Sequence, residues 1–318
     1  MKKAGLKLLC FLSQVCLLVF SAAPSGAQPR GFQSSDLSRL RSVGEVRLSP
    51  EGARIAFTVE NRDRPGRPYS QIWVIEIATG KSWRLAGEKE VTSEPYWSPD
   101  AKWIAYAANE GDKAELKVGH PDGSGATSLA PILGTNSPTQ NPGNRIAWSP
   151  DSQKIAFVST MPGPETAEAT GDPMVITRYL YKPDYGEGNS HFNDNRRQHI
   201  FVVDLASRQV RQLTGGDHYE HSIDWSPSGE EIAFVTNPEP NADQFFNYDL
   251  FALKVTDGSI RRLTATENAE YVPRWSPDGN RIAYLGTKRG LTDLETTMAL
   301  TGRSPGTKSI SPGRNKEL

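Results

Sequence analysis

Apolar residues along this chain fall in short runs that repeatedly break at one polar turn. Leu48-Ser49-Pro50-Glu51-Gly52 leads into Ile55-Ala56-Phe57, and Trp97-Ser98-Pro99-Asp100 leads into Ile104-Ala105-Tyr106. The same pattern returns at Trp148-Ser149-Pro150-Asp151 before Ile155-Ala156-Phe157, at Trp225-Ser226-Pro227 before Ile232-Ala233-Phe234, and at Trp275-Ser276-Pro277-Asp278-Gly279 before Ile282-Ala283-Tyr284. The prolines step by 49, 51, 77 and 50 residues, an internal repeat with one insertion of about 27 residues. Proline presets φ for a tight turn, and the Asp and Gly after it favour the positive φ that reverses the chain. Each motif therefore predicts a β-hairpin. Ala101 and Ser152 stand where glycine is preferred, so those two turns are expected to be strained or differently shaped.

A second apolar hairpin follows in most repeats. Ile72 to Ile77 turns at Thr79-Gly80 and returns through Trp83-Arg84-Leu85; Ile200 to Leu205 returns through Val210 to Leu213; Leu250 to Val255 turns at Asp257-Gly258 and returns through Ile260 to Leu263. The copy between Leu116 and Leu129 is weak. Four short antiparallel strands per 50-odd residues cannot bury both faces alone, and radial stacking solves that. The expected class is all-β: a β-propeller of four-stranded blades, with about five blades or partial blades in an incomplete ring. A β-sandwich would not demand one turn sequence at a fixed long period. The propeller is expected over residues 28–298, with the insertion at about 161–198 and a disordered Gly/Ser/Pro/Arg/Lys tail at 299–318.

Composition changes the picture at the N-terminus. Lys2, Lys3 and Lys7 precede an apolar run from Leu8 to Phe20, and Ser25-Gly26-Ala27 offers small residues for cleavage. Residues 1–27 thus read as a secretory signal peptide; a run of that length is too short to span a hydrocarbon core. Both cysteines, Cys10 and Cys16, lie inside it. Export without disulfides points to a bacterial periplasm, with no membrane attachment after cleavage. Cleavage leaves 33 basic against 37 acidic residues, which offers nothing to a nucleic acid partner.

Several residues carry a resemblance. Asp36 to Arg41, then Val46-Arg47-Leu48-Ser49-Pro50-Glu51-Gly52, look like the opening of the propeller in prolyl oligopeptidase-type (S9) serine peptidases, nearest the acylaminoacyl-peptidase and dipeptidyl-peptidase-IV-like branch. Tyr179-Leu180-Tyr181-Lys182, His199 to Asp204, and Gly286-Thr287-Lys288-Arg289-Gly290 are similar to the same branch. The resemblance spans residues 36–298, and TolB-type periplasmic propellers share the Trp-Ser-Pro-Asp-Gly turn. It implies a non-catalytic propeller that caps an α/β-hydrolase domain and filters substrates by size. Partners would be a peptide substrate and that hydrolase domain. Such propellers have seven or eight blades. Against that pattern this chain shows four full repeats and the first hairpin of a fifth, so the expectation is a gene truncated near Met298. The alternative is a stand-alone TolB-like propeller that binds proteins.

The candidate chemistry is sparse. Gly302-Arg303-Ser304-Pro305-Gly306 matches a nucleophile-elbow pattern. Pro305, however, has no N–H for an oxyanion hole, and no apolar strand precedes the serine. No catalytic residue is assigned. His218-Tyr219-Glu220-His221 reads as a solvated loop rather than a metal site, and no cofactor or metal is expected. The insertion holds the candidate contact residues for substrate or partner: Arg178, Tyr181, Phe192 and Arg196. Packing of those aromatics on the propeller face is the simpler reading.

Overall fold

The computed structural model describes residues 31–110, 113–135, 143–163, 194, 196–239, 242, 247–266, 269–287 and 296–302. The expected signal peptide and the end of the chain after 302 lie outside them. The described residues fall into two units, divided between Leu40 and Arg41. In the first, Ser34–Arg39 form a short 3-10 turn, in which the Gln33 N–H donates to the Asp36 carboxylate at 2.9 Å.

All five repeat turns close the same way. The motif serine binds the residue five positions on through backbone and side chain together: Ser49 N–H donates to the Arg54 carbonyl at 2.8 Å, and Ser49 Oγ accepts from Arg54 N–H at 2.9 Å. Ser98, Ser149, Ser226 and Ser276 repeat this. Where Asp follows Pro, the serine hydroxyl donates to its carboxylate, as from Ser98 to Asp100 at 2.7 Å. The turn needs a left-handed residue, supplied by Gly52, Gly229 and Gly279 and also by Ala101 and Ser152, each at φ 60°. Both non-glycine turns keep the common hydrogen bonds, so the expected difference is strain without a change of shape. Ser152 gains something in return: its hydroxyl accepts from the Asp100 N–H at 3.1 Å.

The turns join five antiparallel sheets in chain order. Blade 1 is β1 (Ser42–Leu48), β2 (Arg54–Asn61), β3 (Tyr69–Glu76) and β4 (Ser82–Arg84); blade 2 is β5 (Val91–Trp97), β6 (Ile104–Glu110), β7 (Lys113–Gly119) and β8 (Thr127–Pro131). Blade 3 is β9 (Ile146–Trp148), β10 (Lys154–Pro162), β11 (Arg196–Asp204) and β12 (Val210–Gln212); blade 4 is β13 (His221–Trp225), β14 (Glu231–Thr236), β15 (Asp249–Lys254) and β16 (Ile260–Arg262). Blade 5 is β17 (Glu270–Trp275), β18 (Arg281–Thr287) and β19 (Thr296–Gly302). The weak repeat between Leu116 and Leu129 thus forms a full hairpin. The fifth blade also goes beyond its first hairpin. Strand β19 pairs with β18 from Thr287↔Thr296 to Arg281↔Gly302, so order runs past the boundary expected at 298. The backbone of β18 offers that segment a ladder that its composition alone does not reveal.

Consecutive blades pack through their first strands: β1 meets β5, β5 meets β9, β9 meets β13, and β13 meets β17. Apolar clusters fill each contact; one brings Phe157 and Ile155 against Leu116 and Val118, another Phe234 and Ile232 against Ile200 and Val158. The motif tryptophan pins the first three of the four junctions; at the last, the buried Trp275 indole N–H has no partner among the described residues. Trp97, Trp148 and Trp225 donate their indole N–H to the carbonyls of Arg47, Tyr96 and Ala147 in the preceding blade at 2.9–3.1 Å. Blade 1 has Leu48 at that place. Val43, Val46 and Leu48 on β1 are about 60% exposed, whereas Ile146 and Ile223, at the place of Val46, are fully buried. Among the described residues, no sheet covers that face of blade 1.

Candidate functional site

The first strands of four blades carry the same irregularity. Pairing slips by a bulge after Gly44, Ser93, His221 and Tyr271, and the extra residue is left-handed: Glu45, Glu94, Ser222 and Val272 have φ of 46–57°. Such bulges re-aim the side chains that follow. Two residues before each motif serine stand Arg47, Tyr96, Ala147, Asp224 and Arg274. Four of these five are polar, although apolar residues or tryptophan flank them, and they share one axis. Arg47 Nη2 of blade 1 reaches Tyr96 Oη of blade 2 at 3.4 Å and Asn144 Oδ1, just before β9, at 3.5 Å. Tyr96 Oη itself donates to Asn144 Oδ1 at 3.1 Å. The Arg47 guanidinium lies 4.8 Å from the centre of the Tyr96 ring, a cation–π contact.

The acids of this ring are already engaged. Glu45 accepts from the Glu94 N–H at 2.9 Å, Glu94 pairs with Arg145 at 2.9 Å, and Asp224 accepts from the Trp275 N–H at 2.8 Å with Arg274 at 3.8 Å. Burial raises Glu94, against the pull of Arg145, and lifts Asp224 to about 6. Tyr96 is pushed up to about 12 by burial, with the guanidiniums of Arg47 and Arg274 pulling it down. Its hydroxyl therefore stays protonated at neutral pH.

A second polar layer lies at the opposite end of the strands, where blades 3, 4 and 5 meet. His199 Nδ1 and Glu220 Oε2 are 2.8 Å apart, both nearly fully buried, and Thr214 Oγ1 donates to Glu220 at 3.0 Å. The His218–His221 segment is therefore only in part the solvated loop expected: His218 and Tyr219 are half-buried in the loop before β13. Glu220 and His221 are 4% and 2% exposed, because β13 begins there and drives them against the preceding blade. Among the described residues, no group of three His, Cys, Asp or Glu is placed to hold a metal.

Of the expected contact residues, Arg178, Tyr181 and Phe192 lie outside the described residues. Arg196 begins β11, where its Nε donates to Thr160 Oγ1 at 2.9 Å and its Nη2 to the Thr160 carbonyl at 3.3 Å. It thus closes the root of the insertion hairpin. The axial residues were missed in the sequence. Their signal was a polar residue at a fixed distance before the serine, visible once repeats are aligned on the turn. A cavity of 360 Å³ between blades 2 and 3 is walled by Trp103, Val118, Leu129 and Leu205, with Asp204 and Arg208 adding charge.

No family model matches this chain. Among solved structures, the β-propeller domain of the Trilobed protease from Pyrococcus furiosus superposes with a TM-score of 0.54 at 14% identity, over 86% of this chain and 71% of that one. The fold is a β-propeller. Pyrococcus horikoshii acylaminoacyl peptidase gives a TM-score of 0.63 at 17% identity, over 86% of this chain and 40% of the peptidase. A TolB from Agrobacterium tumefaciens gives 0.55 at 15%, over 83% and 78%. In sequence, the propeller is 27% identical over 233 residues to the peptidase YuxL of Bacillus subtilis, and 32% identical over 131 residues to a TolB homolog of Chlorobium chlorochromatii. Those matches span 69% and 41% of this chain, but only 33% and 26% of the two relatives. The propeller domains of S9 peptidases and the TolB-like propellers are thus its structural neighbours.

Proposed function

We propose that this propeller receives peptide segments along its axis and serves as the substrate-gating domain of an exported S9-type serine peptidase. The chemistry of bond cleavage would reside in a separate α/β-hydrolase domain. The observation that carries this reading is the axial ring of Arg47, Tyr96, Asn144, Asp224 and Arg274, drawn from four blades and the segment before β9. An extended peptide offers charges and backbone groups that such a ring can meet, whereas an apolar axis would not. Relatives named as peptidases support it. The basic and apolar run before Ala27 supports export to the periplasm.

A second reading, a periplasmic module that binds folded proteins, is supported by the likeness to the TolB proteins in both fold and sequence. Equilibrium binding separates the two. Gating predicts affinity for short unstructured peptides with no turnover of aminoacyl-nitroanilides by the purified chain. Tight binding to a folded periplasmic protein without affinity for peptides would favour the module. Turnover by this chain alone would overturn both.

A further inference from the structure

We propose that Arg47, Tyr96 and Asn144, with Arg274 opposite, form a receptor for a carboxylate carried by a peptide. The inference deepens the gating reading, on which it rests only for the peptide; the carboxylate chemistry stands on the geometry.

Three observations lead there. First, the Arg47 guanidinium is held rather than free: it stacks on the Tyr96 ring, and Nη2 alone makes its hydrogen bonds, to Tyr96 Oη and Asn144 Oδ1. Nε and Nη1 keep their donors for a ligand, and a planar fork of donors matches a carboxylate. Second, no carboxylate among the described residues lies within 4.0 Å of Arg47. Glu45, Glu94 and Asp224 are turned to the Glu94 N–H, to Arg145 and to the Trp275 N–H respectively. The acids of the ring are thus spent on its backbone and on Arg145, and the hydrogen bonds of its first arginine go to neutral acceptors, with Glu94 acting on it only at longer range. Third, Arg274 approaches from the fifth blade. It lies 3.8 Å from Asp224, and its charge, like that of Arg47, reaches the Tyr96 hydroxyl electrostatically. A carboxylate placed there would meet the Arg47 fork and a second positive charge without displacing an internal ion pair to Arg47, while the Tyr96 hydroxyl, whose proton goes to Asn144, holds the fork in place.

The carboxylate could be a peptide's C-terminus or an acidic side chain, which present the same group. Binding of a fluorescent hexapeptide to the purified chain decides between them. One arm compares the free acid with the C-terminal amide, and a second compares an internal Asp with Asn in amidated peptides. A preference of at least tenfold for the carboxylate is expected in one arm. It should fall to less than twofold in Arg47→Ala, be partly retained in Arg47→Lys, and weaken in Arg274→Gln. Millimolar acetate should compete. Melting temperatures of each variant report folding, and the milder Arg47→Lys and Arg274→Gln keep the test decisive if Arg47→Ala unfolds. Equal binding of acid and amide in both arms, no binding at millimolar peptide, or a preference that survives in folded Arg47 variants would overturn the site. Absence of gating in a hydrolase assay would leave these binding results untouched, so the two readings fail separately.

Discussion

The junctions before and after blade 4 use one framework with opposite chemistry. In both, a threonine just past the fourth strand caps the third: Thr214 Oγ1 accepts from the Ile200 N–H, and Thr264 Oγ1 accepts from the Leu250 N–H, each at 2.9 Å. In both, that hydroxyl donates at 3.0 Å to a glutamate entering from the next blade, Glu220 or Glu270. The difference is the neighbour at the start of the third strand. Glu220 meets His199 at 2.8 Å, whereas Glu270 shares its site with Asp249, a second buried acid that Arg262 must pair. Position 212 in the preceding blade holds Gln212 where Arg262 stands. Burial, and then the Asp249 carboxylate, push Glu270 up to about 7 against the hydrogen bonds from Thr266 and Thr264, and burial also raises Asp249. One junction therefore sets an imidazole against an acid, and the other sets two acids together, which pushes Glu270 toward its protonated form.

The strongest way to break this contrast is His199→Asp. It sets two acids together without an arginine, and should cost about 3–5 kcal/mol at pH 8 by denaturant unfolding. Adding Gln212→Arg should recover a large part, which would show that the arginine makes the acid pair tolerable. Arg262→Gln should cost about 3 kcal/mol at pH 8 by leaving Asp249 buried beside Glu270, and less as pH falls and the raised carboxyls take up protons. Glu270→Gln should act in the opposite direction. A carboxyl whose folded pKa lies above its ordinary 4.5 binds more protons folded than unfolded. Its favourable contribution is complete below about 4.5 and is lost as pH rises toward 7. Removing the charge should therefore stabilise the protein at pH 8, on the order of 2–3 kcal/mol, and flatten that segment of its pH profile. The smallest effects are expected from Thr214→Val and Thr264→Val, about 1–2 kcal/mol each, since both lose one cap and one donor.

The strands and the five turns were legible in the sequence because a serine five residues from its partner and a left-handed residue three after it are local requirements. The weak hairpin at β7 and β8, and the extension through β19, were not legible, since sheet neighbours supply what local pattern lacks. The axial site was hidden for a different reason. Arg47, Tyr96, Asp224 and Arg274 lie about 50 residues apart or more, and only the bulges at Glu45, Glu94, Ser222 and Val272 turn them to one axis. Nothing in the sequence joined His199, at the head of the Ile200 strand, to Glu220 in the loop before β13 until the register of β11 and the entry of β13 placed them in contact.

Peptides are expected to enter along the axis. Photo-crosslinking answers this directly: a hexapeptide free acid with a benzophenone next to its C-terminus is irradiated with the purified chain, and the attachment sites are read by mass spectrometry. Attachment should concentrate on β1 and β5 around Arg47 and Tyr96, and should vanish with excess of the same peptide without the label. Attachment instead at the cavity around Trp103 and Leu205, or spread over the surface without competition, would contradict it.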